Sequence, residues 1–305
     1  MLASARTRTV LSIAGSDSGG GAGIQADLKA FARCGVHGTT AITAITAQNT
    51  VAVTAIHPVP AEIILAQVRA VAGDIPPDAV KVGMLGSLEA TLAVVRAIDE
   101  LPRGIPVVLD PVMVAESGAR LLEAQAEQAL VAEMLPRATV LTPNLPEARV
   151  LARLAPGRLA QSADTSHGLL GGSRADAARS GAPASSVEED AEAEALLRAV
   201  LALGPGSVVL TGGHRRQAVD LFLDRTGEGP IVSISGRRHP DGAAHGSGCT
   251  HSSVLAAQLA LGATPLQAAR LARALTGAAV ANGLRGLGAG AGPVDVLGLA
   301  RMPST

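Results

Sequence analysis

The chain has 305 residues, a formal net charge of −1, 48% hydrophobic and 17% charged residues, enough apolar material for one large domain or two small ones. Aromatic residues make up 1%, with no Trp, no Tyr and no basic tract, which excludes a stacking platform or an electrostatic footprint for nucleic acid. The two cysteines, Cys34 and Cys249, stand in no CxxC or Cys/His spacing, so a zinc site or disulfide framework is not indicated.

The start, MLASARTRTVLSIAGSD, joins basic residues to a short apolar run ending in Gly and Asp, and reads as a leader into a strand rather than a signal peptide. The apolar helices are short and interrupted by charge, so none qualifies as a membrane span. A cytoplasmic protein with no membrane partner is the default expectation. Val10 to Ala14 predicts a buried strand, the following glycines a loop, and Ala22 to Arg33 a helix. Thr39 to Ala47, rich in β-branched residues, predicts a second strand ending at Gln48, and Val51 to His57 a third, at an edge. Ala61 to Ala72 carries Ile64, Val68 and Val71 at helical spacing. Strands at Ala79 to Val82, Pro106 to Leu109 and Thr139 to Leu141 alternate with helices at Leu88 to Glu100, Ala124 to Leu135 and Leu145 to Leu154, the last capped by Asn144.

Residues 156–187, rich in Gly, Ser, Ala and Arg, read as a flexible insertion within a single domain spanning 1–305. Beyond it come a helix from Glu188 to Leu203 and strands at Ser207 to Leu210, Ala218 to Leu223 and Ile231 to Ser235, the last two as an antiparallel edge pair. A helix to Leu261 and one from Pro265 to Asn282 precede a glycine-rich tail. Short apolar strands alternating with helices predict an α/β fold with a central, mostly parallel β-sheet covered by helices on both faces. In such sheets ligands lie beyond the carboxyl ends of the strands, where Gln48, Met84, Asp110 and Asn144 fall.

Glycine-rich turns carry the chemistry. GAGIQA, Gly21 to Ala26, matches the loose dinucleotide pattern, but no acid follows about 20 residues on to hold a ribose. Neither lysine, Lys29 or Lys81, follows a glycine, so a Walker A loop is absent. In AHGSGCTHSSVLAA, Gly246 and Gly248 allow a close backbone approach, and the N–H groups from Ser247 to Thr250 open a helix whose partial positive charge suits an anion. Cys249 sits among those donors, where a thiol is expected to ionise more easily. A capped helix start with a buried cysteine explains the same residues without chemistry.

AGSDSGGGAGIQADLKAF, AITAQNT, KVGML, LDPVM, LTPNLPEA, LTGGH and HGSGCT follow one another in this order. Together they resemble the hydroxymethylpyrimidine/phosphomethylpyrimidine kinases of thiamine biosynthesis, in the ribokinase superfamily. The resemblance spans about Val10 to Gly283 except the insertion. It implies a ribokinase-like fold, ATP and Mg²⁺, and phosphorylation of 4-amino-5-hydroxymethyl-2-methylpyrimidine and then of its monophosphate. It further implies that Gln48 bonds the aminopyrimidine, that Ala22, Met84 and Val112 wall the ring, and that Asp27 lies near the same pocket. By the same resemblance Gly246, Ser247, Gly248 and Cys249 are expected to form the catalytic turn, with Cys249 activating the substrate hydroxyl. Asn144 and Glu147 match an element that serves Mg²⁺ and phosphate through water; Asp110 joins them as a candidate metal residue, and Thr211 and Gly213 fall at the nucleotide. A homodimer fits the family.

Plainer roles exist for several of these: Gln48 as a strand-end cap, Met84 as core, Asp27 as a solvated helix residue, Asp110 as a turn former, Glu147 as a first-turn acid. His245 and His251 have no evident partner. Thr211 and Glu116 depart from lysines usual in the family, for which Arg215 or Arg237 are candidate substitutes. A pyridoxal or pyridoxine kinase, and a non-catalytic pyrimidine binder on the same fold, remain the alternatives.

Overall fold

A computed structural model describes residues 6–115, 118–154, 186–214, 217–225, 229–240 and 242–301. Glu116, Arg215 and the predicted insertion as far as residue 185 lie outside the described residues. The chain runs β1 (Thr9–Ala14), α1 (Gly23–Arg33), β2 (His37–Ile42), β3 (Ala44–Gln48), β4 (Val53–Pro58), α2 (Ala61–Asp74), β5 (Ala79–Val82), α3 (Leu88–Asp99), β6 (Val107–Leu109) and α4 (Ala124–Ala129). It continues through β7 (Val140–Leu141), α5 (Leu145–Arg153), α6 (Ser186–Leu201), β8 (Ser207–Leu210), β9 (Val219–Asp224), β10 (Val232–Ser235), α7 (Ser247–Ala260) and α8 (Pro265–Ala281).

Eight strands form one sheet in the order β10-β9-β8-β7-β6-β5-β1-β2. From β2 to β8 neighbours are parallel, while β9 and β10 run antiparallel. Strands β1, β5, β6, β7 and β8 are buried on both faces, and their alternate residues sort between two cores. Leu11, Val82, Leu109, Leu141 and Leu210 pack with α2 to α6. Val10, Val108, Val140, Val209 and Phe222 pack with α1, α7 and α8. Helix α7 is buried without a break from Thr250 to Ala257, because α8 and α1 cover the sides the sheet leaves open.

Two elements differ from the sequence reading. The single strand predicted over Thr39 to Ala47 is two, broken at Thr43. Thr43 is buried, its N–H donates to the Ala14 carbonyl and its hydroxyl to the Met84 carbonyl at 2.6 Å, so tertiary bonds turn the chain out of the sheet. β3 then pairs with β4 as a separate two-stranded hairpin, so Val53–Pro58 is no edge of the main sheet. The helix predicted to Leu135 remains α only to Ala129, then widens to π over Leu130–Met134 and tightens to 3₁₀ over Leu135–Arg137. Among the described residues no helix is long and apolar enough to cross a membrane.

Candidate active site

A cavity of about 860 Å³ opens over the carboxyl ends of β1, β5, β6, β7 and β8 and beneath the β3–β4 hairpin. Its floor includes two glycine turns. In the first, between β1 and α1, the Asp17 carboxylate accepts from the N–H groups of Gly19 (2.8 Å), Gly21 (3.0 Å) and Ala22 (2.8 Å). His245 Nε2 approaches the same carboxylate at 2.9 Å. Burial alone pushes Asp17 upward, but His245 and these donors together hold its carboxyl below the ordinary range. His245 therefore has a partner that the sequence did not reveal, and it belongs to the second turn, which leads into α7.

Gly246 adopts φ +80° there, and a Cβ on it would overlap the Gly21 carbonyl. Only glycine lets the two turns meet so closely. The Ser247 and Thr250 N–H groups already donate to the Ala244 and Gly246 carbonyls, both at 2.9 Å, which corrects the expectation of four free donors. Gly248 and Cys249 are the first-turn positions whose N–H groups have no acceptor within the helix itself.

Cys249 lines the cavity and its sulfur accepts from the Gly23 N–H, so the heads of α7 and α1 converge on it. The expected easy ionisation is not found. Burial pushes the thiol up to about 12, and the nearby Asp110 and Asp27 oppose a thiolate further, while Lys81 favours it without prevailing. Lys81 is itself sealed: it is 0% exposed, with Nζ 2.9 and 3.0 Å from the Asp27 oxygens. Burial alone lowers its pKa, but Asp27, then Cys249 and Asp110, keep it raised and charged. Ser12 and Ser253 donate to the two Asp27 oxygens at 2.6 Å each. Asp27 thus does not reach the cavity, and its predicted substrate contact is corrected to a buried countercharge behind it. Sequence reasoning passed over Lys81; a lysine inside an apolar four-residue strand was the available signal for a buried ion pair.

Asp110, Asn144 and Glu147 all line the cavity. Asn144 and Glu147 form a reciprocal cap on α5, each side chain accepting from the other's N–H at 2.9 Å. Asp110 accepts from the Ser252 hydroxyl at 2.9 Å. Burial raises the pKa of Asp110, against Lys81 and Ser252. Burial and then the charge of Asp110 push Glu147 up to about 8. Two mutually repelling carboxyls at a cavity wall fit a divalent cation that neutralises both. Among the described residues no group of three or more His, Cys, Asp or Glu could hold a metal alone, so remaining ligands would come from phosphate and water.

Gln48, Ala22, Met84 and Val112 line the cavity as expected. Met84 packs with Ala44, Leu121 and Val112 into a small apolar wall. Among the described residues the Gln48 carboxamide accepts a single 3.4 Å contact, from Thr46, at the tip of β3 rather than of a main-sheet strand. Thr211 and Gly213 line the far end of the cavity, together with Asp220, Arg237 and His251. The Thr211 hydroxyl faces the Pro143 carbonyl at 3.4 Å. His251, without a partner in the sequence reading, faces Asp220 at 3.4 Å.

The comparisons with known proteins agree. A family model described as Phosphomethylpyrimidine kinase matches residues 17–172 and 180–295. A hydroxymethylpyrimidine/phosphomethylpyrimidine kinase of Rhizobium meliloti is 42% identical over 291 residues, 94% of this chain and 96% of its own. One from Haemophilus influenzae is 39% identical over 292 residues, covering 94% and 96%. The fold matches a phosphomethylpyrimidine kinase from Clostridium difficile (TM-score 0.66, 34% identity, 88% and 97% covered). It also matches the pyridoxal kinase from Staphylococcus aureus in complex with ADP (TM-score 0.75, 29% identity, 96% and 94% covered). With its glycine turns, apolar wall and paired carboxyls in one cavity, the chain belongs to the phosphomethylpyrimidine kinase family.

Proposed function

We propose that this protein uses ATP to phosphorylate 4-amino-5-hydroxymethyl-2-methylpyrimidine and then its monophosphate, in thiamine biosynthesis. The supporting observation is that one cavity holds both an apolar wall with a polar edge, Met84, Val112 and Gln48, and the head of α7 at Gly246 to Cys249. A flat ring suits the wall, and the Gln48 carboxamide supplies the donor and acceptor an aminopyrimidine edge requires. The ring's hydroxymethyl group then faces the α7 turn.

Phosphoryl transfer needs positioning and charge stabilisation more than covalent work. The Gly248 and Cys249 N–H groups, aided by the helix dipole, stabilise charge on the moving group. Cys249 meets the substrate as a thiol at neutral pH, so it orients the hydroxyl and does not abstract its proton as a resident thiolate. Asp110 and Glu147 would hold Mg²⁺ through phosphate and water, and the ion would neutralise the phosphate oxygens. Thr211 contributes no cation, and Lys81 is engaged with Asp27, so the exposed Arg237 at the cavity is the residue we assign to the triphosphate.

A coupled ADP-release assay with the pyrimidine, its monophosphate and pyridoxal tests the assignment. We expect turnover with both pyrimidines and at least tenfold lower kcat/KM with pyridoxal. Melting shifts with ligand but no ADP release would make the protein a binder instead. We also infer a homodimer, since Ile45, Val51 and Ile56 stand exposed on and beside the β3–β4 hairpin. Sedimentation of wild type and Ile56→Glu should give dimer and monomer respectively.

A further inference from the structure

The nucleotide end of the cavity is tied together by a carboxylate on the back of its floor. Asp220, on β9, is 1% exposed. Its Oδ1 accepts from the Gly212 N–H at 2.7 Å, and a Cβ on Gly212 would overlap the Val219 backbone, so the 211–213 turn rests directly on this strand. The Oδ2 atom faces His251 Nε2 at 3.4 Å, and Arg273 Nη1 stands 3.8 Å from Oδ1. Arg273, from α8, also donates to the Ala218 carbonyl beside Asp220. One buried charge thus contacts the turn after β8, the first turns of α7 and the middle of α8.

The contacts are of an unusual kind. Asp220 Oδ2, both ring nitrogens of His251, Nε of Arg273 and the hydroxyls of Thr250 and Thr276 are buried without a hydrogen bond among the described residues. Buried polar groups are nearly always hydrogen-bonded. Here Gly212 supplies the one short bond to Asp220, and His251 and Arg273 face it at 3.4 and 3.8 Å. His251 lies two residues beyond Cys249, so whatever fixes His251 fixes the orientation of the turn that grips phosphate.

We infer that Asp220 is a positioning residue for the nucleotide: it sets the distance between the Thr211–Gly213 turn and the head of α7, and so controls nucleotide affinity without touching the pyrimidine. The inference rests on the reading that nucleotide occupies this end of the cavity.

Calorimetric titration with ADP, and KM values for ATP and for the pyrimidine, test it in Asp220→Asn and His251→Gln. The Asn variant keeps an acceptor for Gly212 and removes the charge. We expect ADP affinity to fall about tenfold, KM for ATP to rise in step, and KM for the pyrimidine to stay within twofold. Should Asp220→Asn fail to fold, His251→Gln, which alters only the α7 contact, carries the same expectation. Equal changes in both KM values, or a lowered melting temperature with ADP affinity intact, would overturn the positioning role while leaving the nucleotide site standing. A wild-type protein that does not bind ADP would overturn both.

Discussion

Lys81 and Asp27 sit with no exposure at the base of the cavity, and each is tolerable only because of the other. Removing one partner of such a pair leaves an unpaired buried charge and costs about 3–5 kcal/mol. Lys81→Met should lose that much in denaturant unfolding, and adding Asp27→Leu should recover part of it. The pair also explains the thiol. With Lys81 compensated by Asp27, little positive charge is left to stabilise a thiolate, and burial prevails. Cys249 should therefore react slowly with iodoacetamide at pH 7–8 and accelerate steadily above pH 10, read by mass spectrometry of the labelled peptide. Rapid labelling at neutral pH would contradict the environment described. Glu147 makes a prediction of opposite visibility. Its folded pKa of about 8 lies above that of an ordinary glutamate, so between those values the folded state holds a proton the unfolded state has released. Stability from this group is therefore fully present at acid pH and is lost as pH rises toward 8. Glu147→Gln keeps the cap acceptor and removes the titration, so its melting temperature should gain on wild type as pH goes from 5 to 8.

At the scale of elements, the two glycine turns act as one unit. Asp17 gathers three N–H groups of the first, His245 of the second touches Asp17, and Gly246 packs against Gly21. A methyl group at Gly246 meets both a left-handed backbone and the Gly21 carbonyl, so Gly246→Ala must move the head of α7. Misplacing oxyanion-type donors costs about 10² to 10³ in rate, and kcat/KM should fall into that range. A variant with near wild-type turnover would show that these donors do not face the moving phosphoryl group. The β3–β4 hairpin is the second element of interest. It leaves the sheet at Thr43 and places Gln48 over the cavity, a position that strand propensity could not distinguish from a sheet strand.

For the whole molecule, the sheet divides structure from chemistry. One face, with α2 to α6, packs the larger apolar core, while the other carries Lys81, Asp27, Ser253 and the head of α7 beside its apolar core. The cavity spans the carboxyl edge, so the proposed function puts pyrimidine and nucleotide at different ends of one opening. Each should raise the melting temperature alone, by the equivalent of about 2.7 kcal/mol at 100 times its dissociation constant. The two shifts together should at least add; mutual exclusion would mean that both compounds compete for one end.

Periodicity, glycine placement and motif order were local properties, and from them the alternation of strands and helices, the parallel sheet, the family and a set of site residues that line the cavity, all but Asp27, could be read. Hydrophobic spacing decides which residues form an element and which face they bury, so Val10–Ala14, Ala79–Val82 and Ser207–Leu210 were legible almost to the residue. What the sequence could not decide was which charges meet. Asp27 with Lys81, Asp17 with His245 and Asp220 with His251 are 54, 228 and 31 residues apart, brought together only by the packing of α1 and α7 against the sheet. Burial and electrostatic pairing depend on those long-range neighbours, and for that reason the direction of the Cys249 thiol's shift, the inward turn of Asp27 and the break at Thr43 belonged to the tertiary structure alone.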